Sequence, residues 1–253
     1  MLLFYSSKNA KGGAVVRLDK LIEERLQTTR KNQKRLFLTG QVTVDGKSER
    51  QENRNADSQL HKIEVAGRQL FTDECYFLVF KPRGVVTANK DAVHETFLDL
   101  LREKDRTEGL YSVGRLDRDT EGLLLVTTNG QLGYELLQPA GKVSKVYEAW
   151  VKEPVTSADV RAFSSGITFH GGITCEPATL QILETTPGPT KIRLKITEGK
   201  FHQVKKMFLA RGIKVLTLRR VAMGPLTLPQ DLLPGDYRVL TQAELISLRT
   251  YFR

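Results

Sequence analysis

Cysteine is almost missing from this chain: its 253 residues include two, Cys75 and Cys175. Two cysteines cannot build a disulfide framework, and a chain that does without one suits a reducing compartment. Their positions match no metal-ligand spacing, so both read as small side chains used for packing. Histidine is scarce too, with four scattered copies, and no constellation with metal-ligand spacing can be assembled from them. No stretch approaches the roughly 20 apolar residues of a membrane span. The apolar part of the opening MLLFYSSKNAKGG is too short for a secretory signal. A cytoplasmic protein without membrane attachment is expected. Neither standard glycine-rich nucleotide loop occurs, and there is no nucleophile elbow. Any chemistry is therefore expected to be run by side chains, with no metal and no cofactor.

Basic residues are plentiful instead. There are 39 Lys and Arg against 29 Asp and Glu, a formal net charge of +10. Lysine and arginine that neutralise phosphates release counterions from nucleic acid, so this balance suits an acidic polymer as partner. On charge alone, a basic protein with no polyanion is an equal alternative. With 40% hydrophobic residues the chain can bury a real core and is not a disordered tail.

Patterning divides the chain into an extension (1–14), a small first domain (15–70), a linker (70–75) and a larger second domain (75–253). In the first domain Leu18, Leu21, Ile22 and Leu26 recur at helical spacing. A second short helix is predicted through the basic stretch 30–36. The alternation Gln41-Val42-Thr43-Val44 closed by Asp45-Gly46 predicts a hairpin, with 47–58 as a long loop and 61–65 as the return strand. The second domain opens on a buried strand (76–80). Further strands are predicted at 122–127, 146–151, 178–183, 191–197 and 214–218. Helices are predicted at 96–102, 132–137, 157–163, 203–211 and 241–248, with Ser157 and Thr241 as caps or first-turn residues. Strands and helices do not alternate strictly, which predicts an α+β fold on a mainly antiparallel sheet. There is no internal repeat.

Three segments carry residues suited to chemistry. GRLDRDTEGLLLVTTNG at 114–130 runs from a charge-dense loop into an apolar strand and an expected Asn-Gly turn. Loops held at the end of a rigid strand often carry catalytic groups, and an adjacent cation keeps an aspartate charged. A structural salt-bridge loop is the competing explanation. VSKVYEAWV at 143–151 alternates, so Tyr147 and Trp150 should face opposite ways. Tyr147 could stack on a base or simply fill the core. TEGKFHQVKKMF at 197–208 passes from a strand end into a helix start. Between positions 200 and 220 lie Lys200, Lys205, Lys206, Arg211, Lys214, Arg219 and Arg220, with no acidic residue. A helix start with lysines in its first turns is a candidate phosphate site; a solvated basic face is the alternative.

Together these segments resemble the pseudouridine synthases of the Rsu type, which act on ribosomal RNA. The 114–130 segment carries the resemblance most strongly. KVYEAW at 145–150 is similar to the family's tyrosine motif, EGKFHQVKKMF at 198–208 to its third motif, and VFKPRGVVT at 79–87 to its opening. RLDKLIEERL at 17–26 with LTGQVTVDGK at 38–47 resembles the small S-four-like RNA-binding domain that precedes this catalytic domain in relatives. Thr29-Arg30 stands where that domain usually has Ser-Arg, and Val44-Asp45-Gly46 where it has Val-Asn-Gly.

The resemblance implies that Asp117 is the essential carboxylate, acting on the anomeric carbon or on a ribose proton. It implies that Arg115 or Lys205 keeps Asp117 ionised and that Tyr147 stacks on the target base. Arg115 is the alternative candidate to fill the space left by the flipped base. Arg17, Arg30, Lys31, Lys34 and Arg35 in the first domain, and Lys200, His202, Gln203 and Lys206 in the third motif, are the expected RNA contacts. The expected partner is ribosomal RNA or a ribosomal assembly intermediate, bound by a monomer. The third motif, with Lys200, His202 and Lys205, looks more like the small-subunit enzymes than the large-subunit branch. A large-subunit enzyme and a non-catalytic RNA-binding assembly factor are the alternatives.

Overall fold

The computed structural model describes residues 16–169, 171–185 and 187–252; the 1–14 extension lies outside them. The apolar stripe Leu18, Leu21 and Ile22 buries one face of helix α1 (Leu18–Leu26). Thr29 caps α2 (Arg30–Leu38), its hydroxyl accepting from the Asn32 amide at 3.4 Å. Strands β1 (Val42–Val44), β2 (Lys47–Ser48), β3 (Ile63–Val65) and β4 (Arg68–Leu70) form a sheet in the order β2-β1-β3-β4. Asp45-Gly46 and Ala66-Gly67 have φ of 51° and 77°, and 50° and 77°. Positive φ at both central residues matches the twist of a two-residue hairpin. The Asp-Gly turn therefore closes onto Lys47–Ser48, not onto 61–65 as the alternation suggested. β3 pairs instead with the other edge of β1. Leu18, Ile22, Phe37, Val42 and Ile63 bury one cluster between the helices and this sheet.

The larger sheet is built from β5 (Tyr76–Lys81), β6 (Tyr111–Ser112), β7 (Glu121–Thr127), β8 (Lys145–Val151), β9 (Thr179–Thr185), β10 (Thr190–Ile196), β11 (Val215–Met223), β12 (Leu226–Thr227) and β13 (Tyr237–Val239). Its main path runs β13-β5-β7-β11-β8-β10-β9. Helices α3 (Gly130–Leu137), α4 (Ser157–Ser165), α5 (Gln203–Leu209) and α6 (Gln242–Leu248) pack around it. β5 is buried along its whole length, as a strand covered on both faces must be.

The expected mainly antiparallel sheet needs correction: the sheet is mixed. β7 and β11 lie parallel at its centre, Arg219 opposite Glu121 and Arg220 opposite Gly122. A parallel pair needs a crossover, not a hairpin, and α3, α4, α5 and β8 to β10 all lie in that crossover. Gly122 makes the pairing possible. Its φ is +114°, and a Cβ there would sit 2.2 Å from the Arg220 carbonyl oxygen.

Other expectations shift locally. The 96–102 stretch winds as turns, not a helix. The Asp99 carboxylate takes both the amide and the hydroxyl of Thr96 at 2.8 Å, and Phe97 donates to the Val86 carbonyl at 3.0 Å, so a side chain and a strand-like bridge claim groups a helix would use. Asn129 caps α3 rather than forming an Asn-Gly turn, its Oδ1 accepting from the Leu132 amide at 2.9 Å. Thr156, not Ser157, caps α4, and both Thr156 and Thr241 form capping boxes, with Asp159 and Glu244. The strand predicted at 214–218 extends to Met223, which carries Arg220 into the sheet.

The 70–75 stretch is bonded into the structure. Ser58 and Thr72 exchange amide-to-hydroxyl bonds at 2.9 and 2.8 Å. The fully buried Asp57 accepts from the Tyr76 hydroxyl and, at 2.6 Å, from the Asn129 amide. Leu60 packs in the same cluster as Tyr76 and Leu78. Burial beside Asp57 pushes the Glu74 carboxyl up to about 7. Among the described residues, no helix is long and apolar enough to cross a membrane.

Candidate active site

The site is organised by the loop that feeds β7. The Thr120 amide donates to the Asp117 carbonyl at 3.0 Å, which tightens the loop into a turn. Leu116, one residue earlier, is buried in the cluster that holds Tyr147, Val204 and Leu218. The loop is tied to the chain after β5 by three contacts. Thr87 Oγ1 donates to the Leu116 carbonyl at 3.0 Å. The Gly84 amide donates to the Arg118 carbonyl at 2.8 Å. Lys81 Nζ reaches the carbonyls of Pro82, Val85 and Arg118 at 2.8, 2.7 and 3.5 Å. Lys81 is 0% exposed. Burial lowers its pKa to about 8, against the opposing pull of Asp119, Asp117 and Glu121. Buried Leu116 and bonded Arg118 carbonyl leave Asp117, between them, turned to the partly open side.

Helix α5 meets the loop there. Lys205 Nζ lies 3.0 Å from Asp117 Oδ2 and 2.6 Å from Asp119 Oδ1. His202 Nε2 lies 3.5 Å from Asp117 Oδ1. Burial would lower the Lys205 pKa, but its bonds and charge contacts with Asp119 and Asp117 outweigh this and raise it. For Asp119 burial works upward, and the Lys205 hydrogen bond and charge outweigh it, holding the carboxyl below its usual range. At neutral pH the ammonium and the Asp119 carboxylate are therefore both charged. The Asp117 side chain is 28% exposed, enough for an outside group to reach it.

Of the two cations expected to pair with Asp117, the structure brings up Lys205. Arg115 is exposed and, among the described residues, forms no ion pair with Asp117. Tyr147 is 8% exposed and alternates with outward-leaning Glu148 and Trp150, so the two aromatics of β8 do face opposite ways. In the third motif, Lys200 pairs with Glu198. Gln203 is 4% exposed, donates to Glu198 Oε1 at 2.6 Å and accepts the Lys200 amide at 2.8 Å. Its amide is engaged inside the loop, where it shapes the motif. Lys206 Nζ lies 4.9 Å from the centre of the exposed Phe201 ring.

The basic run between 200 and 220 is also less available than its composition suggests. Arg211 is bonded to Asp159 and Arg219 to Glu121, while Arg220 is 1% exposed with Nε on the Leu123 carbonyl. On α2, Arg30, Lys31, Lys34 and Arg35 are all exposed. Arg17 forms an ion pair with Asp19 at 2.6 Å.

Sequence reasoning missed Lys81, Asp119 as the second partner of Lys205, and Phe201. A lysine at the end of an otherwise apolar strand, followed by Pro82-Arg83-Gly84, was a legible signal for a buried cation. Nothing in the sequence marks Asp119 over Glu121.

The profile of the family described as "RNA pseudouridylate synthase" matches residues 75–210, which include the loop, β8 and α5. The "Uncharacterized RNA pseudouridine synthase YtzG" of Bacillus subtilis is 38% identical over 231 residues, covering 91% of this chain and 97% of that protein. The "Ribosomal small subunit pseudouridine synthase A" of Vibrio cholerae is 37% identical over 240 residues, covering 92% of this chain and 99% of that protein. The Escherichia coli protein of the same name is 37% identical over 240 residues, covering 92% and 100%. A solved structure described as "Crystal structure of pseudouridylate synthase" matches with a TM-score of 0.64 at 33% identity, over 92% of this chain and 99% of that one. The chain belongs to the RNA pseudouridylate synthase family, and with it to the isomerases that make pseudouridine in RNA.

The shared ammonium has a consequence measurable by pH. Because Lys205 holds the Asp119 carboxyl low, Lys205→Met should return Asp119 toward the ordinary carboxylate range. An NMR titration of the Asp119 carboxyl carbon should show its midpoint moving to higher pH in the variant. Identical titration in both proteins would mean the bridge is not formed in solution.

Proposed function

We propose that this chain isomerises a uridine of small-subunit ribosomal RNA to pseudouridine, with Asp117 as the essential carboxylate. The observation that carries the reading is the bridge from Lys205 to Asp117, at 3.0 Å, between the loop before β7 and helix α5. The reaction breaks the bond between ribose C1′ and uracil N1, turns the base, and joins C1′ to C5, with the C5 proton lost and a proton taken up at N1. The nucleotide must leave its stack to be reached. Asp117 acts on C1′ or on a ribose proton, and either route needs an ionised carboxylate in a fixed place. The Lys205 ammonium pairs with the carboxylate, and a site fixed by neighbouring elements avoids the loss of about 100-fold that a small misplacement costs.

Tyr147 shares a buried cluster with Leu116 and is read as the face for the uracil ring. Arg115, exposed at the start of the loop, is free to occupy the gap that the flipped base leaves. The segment 15–70 is read as an S-four-like RNA-binding domain. In support, α2 carries Arg30, Lys31, Lys34 and Arg35 exposed, with no acidic residue in the helix. The small-subunit assignment draws on relatives of that name at 37% identity and on Lys200, His202 and Lys205 in the third motif.

Two measurements test these assignments. In a strain lacking the gene, mapping pseudouridine across both ribosomal RNAs should reveal one missing site in the small-subunit RNA, restored by the wild-type gene. A missing site in the large-subunit RNA alone would transfer the assignment. For the RNA-binding segment, changing Arg30, Lys31 and Lys34 to Gln should weaken RNA binding and flatten its dependence on log salt by about one unit for each phosphate that is no longer neutralised. An unchanged salt slope would remove α2 from the RNA path.

A further inference from the structure

Phe201 is 71% exposed, a large apolar cost unless something covers it in use. Scattered exposed apolar residues are ordinary, but the placement of this one is not. Its ring stacks on that of His202, with centroids 3.8 Å apart and planes at 20°, and His202 in turn reaches to 3.5 Å from Asp117. Phe201 is thus one ring thickness beyond the group that touches the candidate carboxylate.

The turn that presents it is held firmly. On one side the Lys200 amide is fixed by Gln203 Oε1 at 2.8 Å and Lys200 Nζ is paired with Glu198. On the other, Gln203 is buried and bonded to Glu198 at 2.6 Å. Glu198 also accepts the Glu176 amide at 3.0 Å. Between these anchors His202 adopts φ of +53°, uncommon for a residue other than glycine. That backbone lets the consecutive rings lie side by side, with His202 reaching Asp117 and Phe201 stacked on it and open to solvent. Lys206, one turn into α5, places its ammonium over the Phe201 ring, 4.9 Å from its centre, and 5.9 Å from the centre of the Phe169 ring. An exposed aromatic ring braced by His202 and otherwise topped by a lysine ammonium can take an unstacked nucleotide, the ammonium leaving the ring for a phosphate as the base takes its place.

We propose that Phe201 is the stacking platform for a nucleobase next to the target uridine in the RNA, with Lys206 taking that nucleotide's phosphate. This rests on the reading of the Asp117 site as the place where uridine is isomerised. Once the target nucleotide leaves the stack, its neighbour loses a stacking partner, and Phe201 replaces it. The residue then contributes to binding and to the choice of sequence context, not to the bond changes.

The test is tritium release from total cellular RNA labelled at uracil C5, taken from a strain lacking the gene. Wild type is compared with Phe201→Ala and Phe201→Trp after all three show the same thermal midpoint. Phe201→Ala should raise KM by about 5- to 150-fold, the range of a single base–aromatic stack, with kcat within about twofold. Phe201→Trp should stay close to wild type. An unchanged KM in Phe201→Ala would overturn the proposal, as would equal loss in the Ala and Trp variants. A fall in kcat at constant KM would also overturn it, because Phe201 would then act only as a brace for His202. Total RNA contains the target whichever subunit carries it, so failure of the small-subunit assignment would leave this result readable.

Discussion

The candidate site depends on one ammonium group. Lys205 meets Asp117 and Asp119 together, at 3.0 and 2.6 Å, and so ties the loop before β7 to helix α5, segments far apart in the chain. Two carboxylates two residues apart would repel each other if both were ionised and unpaired. With the lysine between them the loop can carry both charges. Lys205 and Asp117 are partly buried, where a pair is screened less than on an open surface. The bridge therefore serves the placement of Asp117 and the ionisation of Asp119 together.

The bridge needs both of its ends held, and the sheet does this. Gly122 lets β11 come in parallel to β7 at a distance no Cβ would tolerate, and α5 reaches the loop because it leads into β11. Three cations of the larger sheet, Lys81, Arg220 and Lys145, are buried, and among the described residues none of them forms an ion pair with a carboxylate. Lys81 is held by three carbonyls, Arg220 by the Leu123 carbonyl with Nη2 unpartnered, and Lys145 by the Val143 carbonyl at 3.3 Å. Isolated buried charges are costly. Burial lowers the pKa of Lys81 and Lys145 alike, and Arg220 adds to it in both. Asp117, Asp119 and Glu121 act in the opposite direction on Lys81. The anionic loop and the buried Lys81 thus favour each other's charged forms.

Much of this was legible in the sequence where local chemistry decides. The α1 stripe, the Asp45-Gly46 turn, the buried β5 run and the alternation of β8 all follow from spacing and turn preference. The loop carrying Asp117 and the pairing role of Lys205 followed from the family resemblance. Other features depend on partners distant in the chain. The parallel β7–β11 contact is marked only by Gly122, which reads equally as a loop glycine. The failed helix at 96–102 has helical apolar spacing, and only Asp99 bonding back to Thr96 and the bridge to Val86 explain the turns. The burial of Gln203 and its bond to Glu198 are not legible in the third motif, because Glu198 meets it only once the strand end and the helix start fold together. Composition counted Arg211, Arg219 and Arg220 as basic surface, but two are neutralised by acids on neighbouring elements and one is in the core.

The proposed role of Asp117, held by Lys205, as the carboxylate of the isomerisation is open to direct test. The most direct measurement is tritium release by purified protein from small-subunit RNA labelled at uracil C5, comparing wild type with Asp117→Asn at matched RNA affinity. Wild type should release tritium and Asp117→Asn none, with both proteins binding the RNA equally. Release by Asp117→Asn at the wild-type rate would contradict that role.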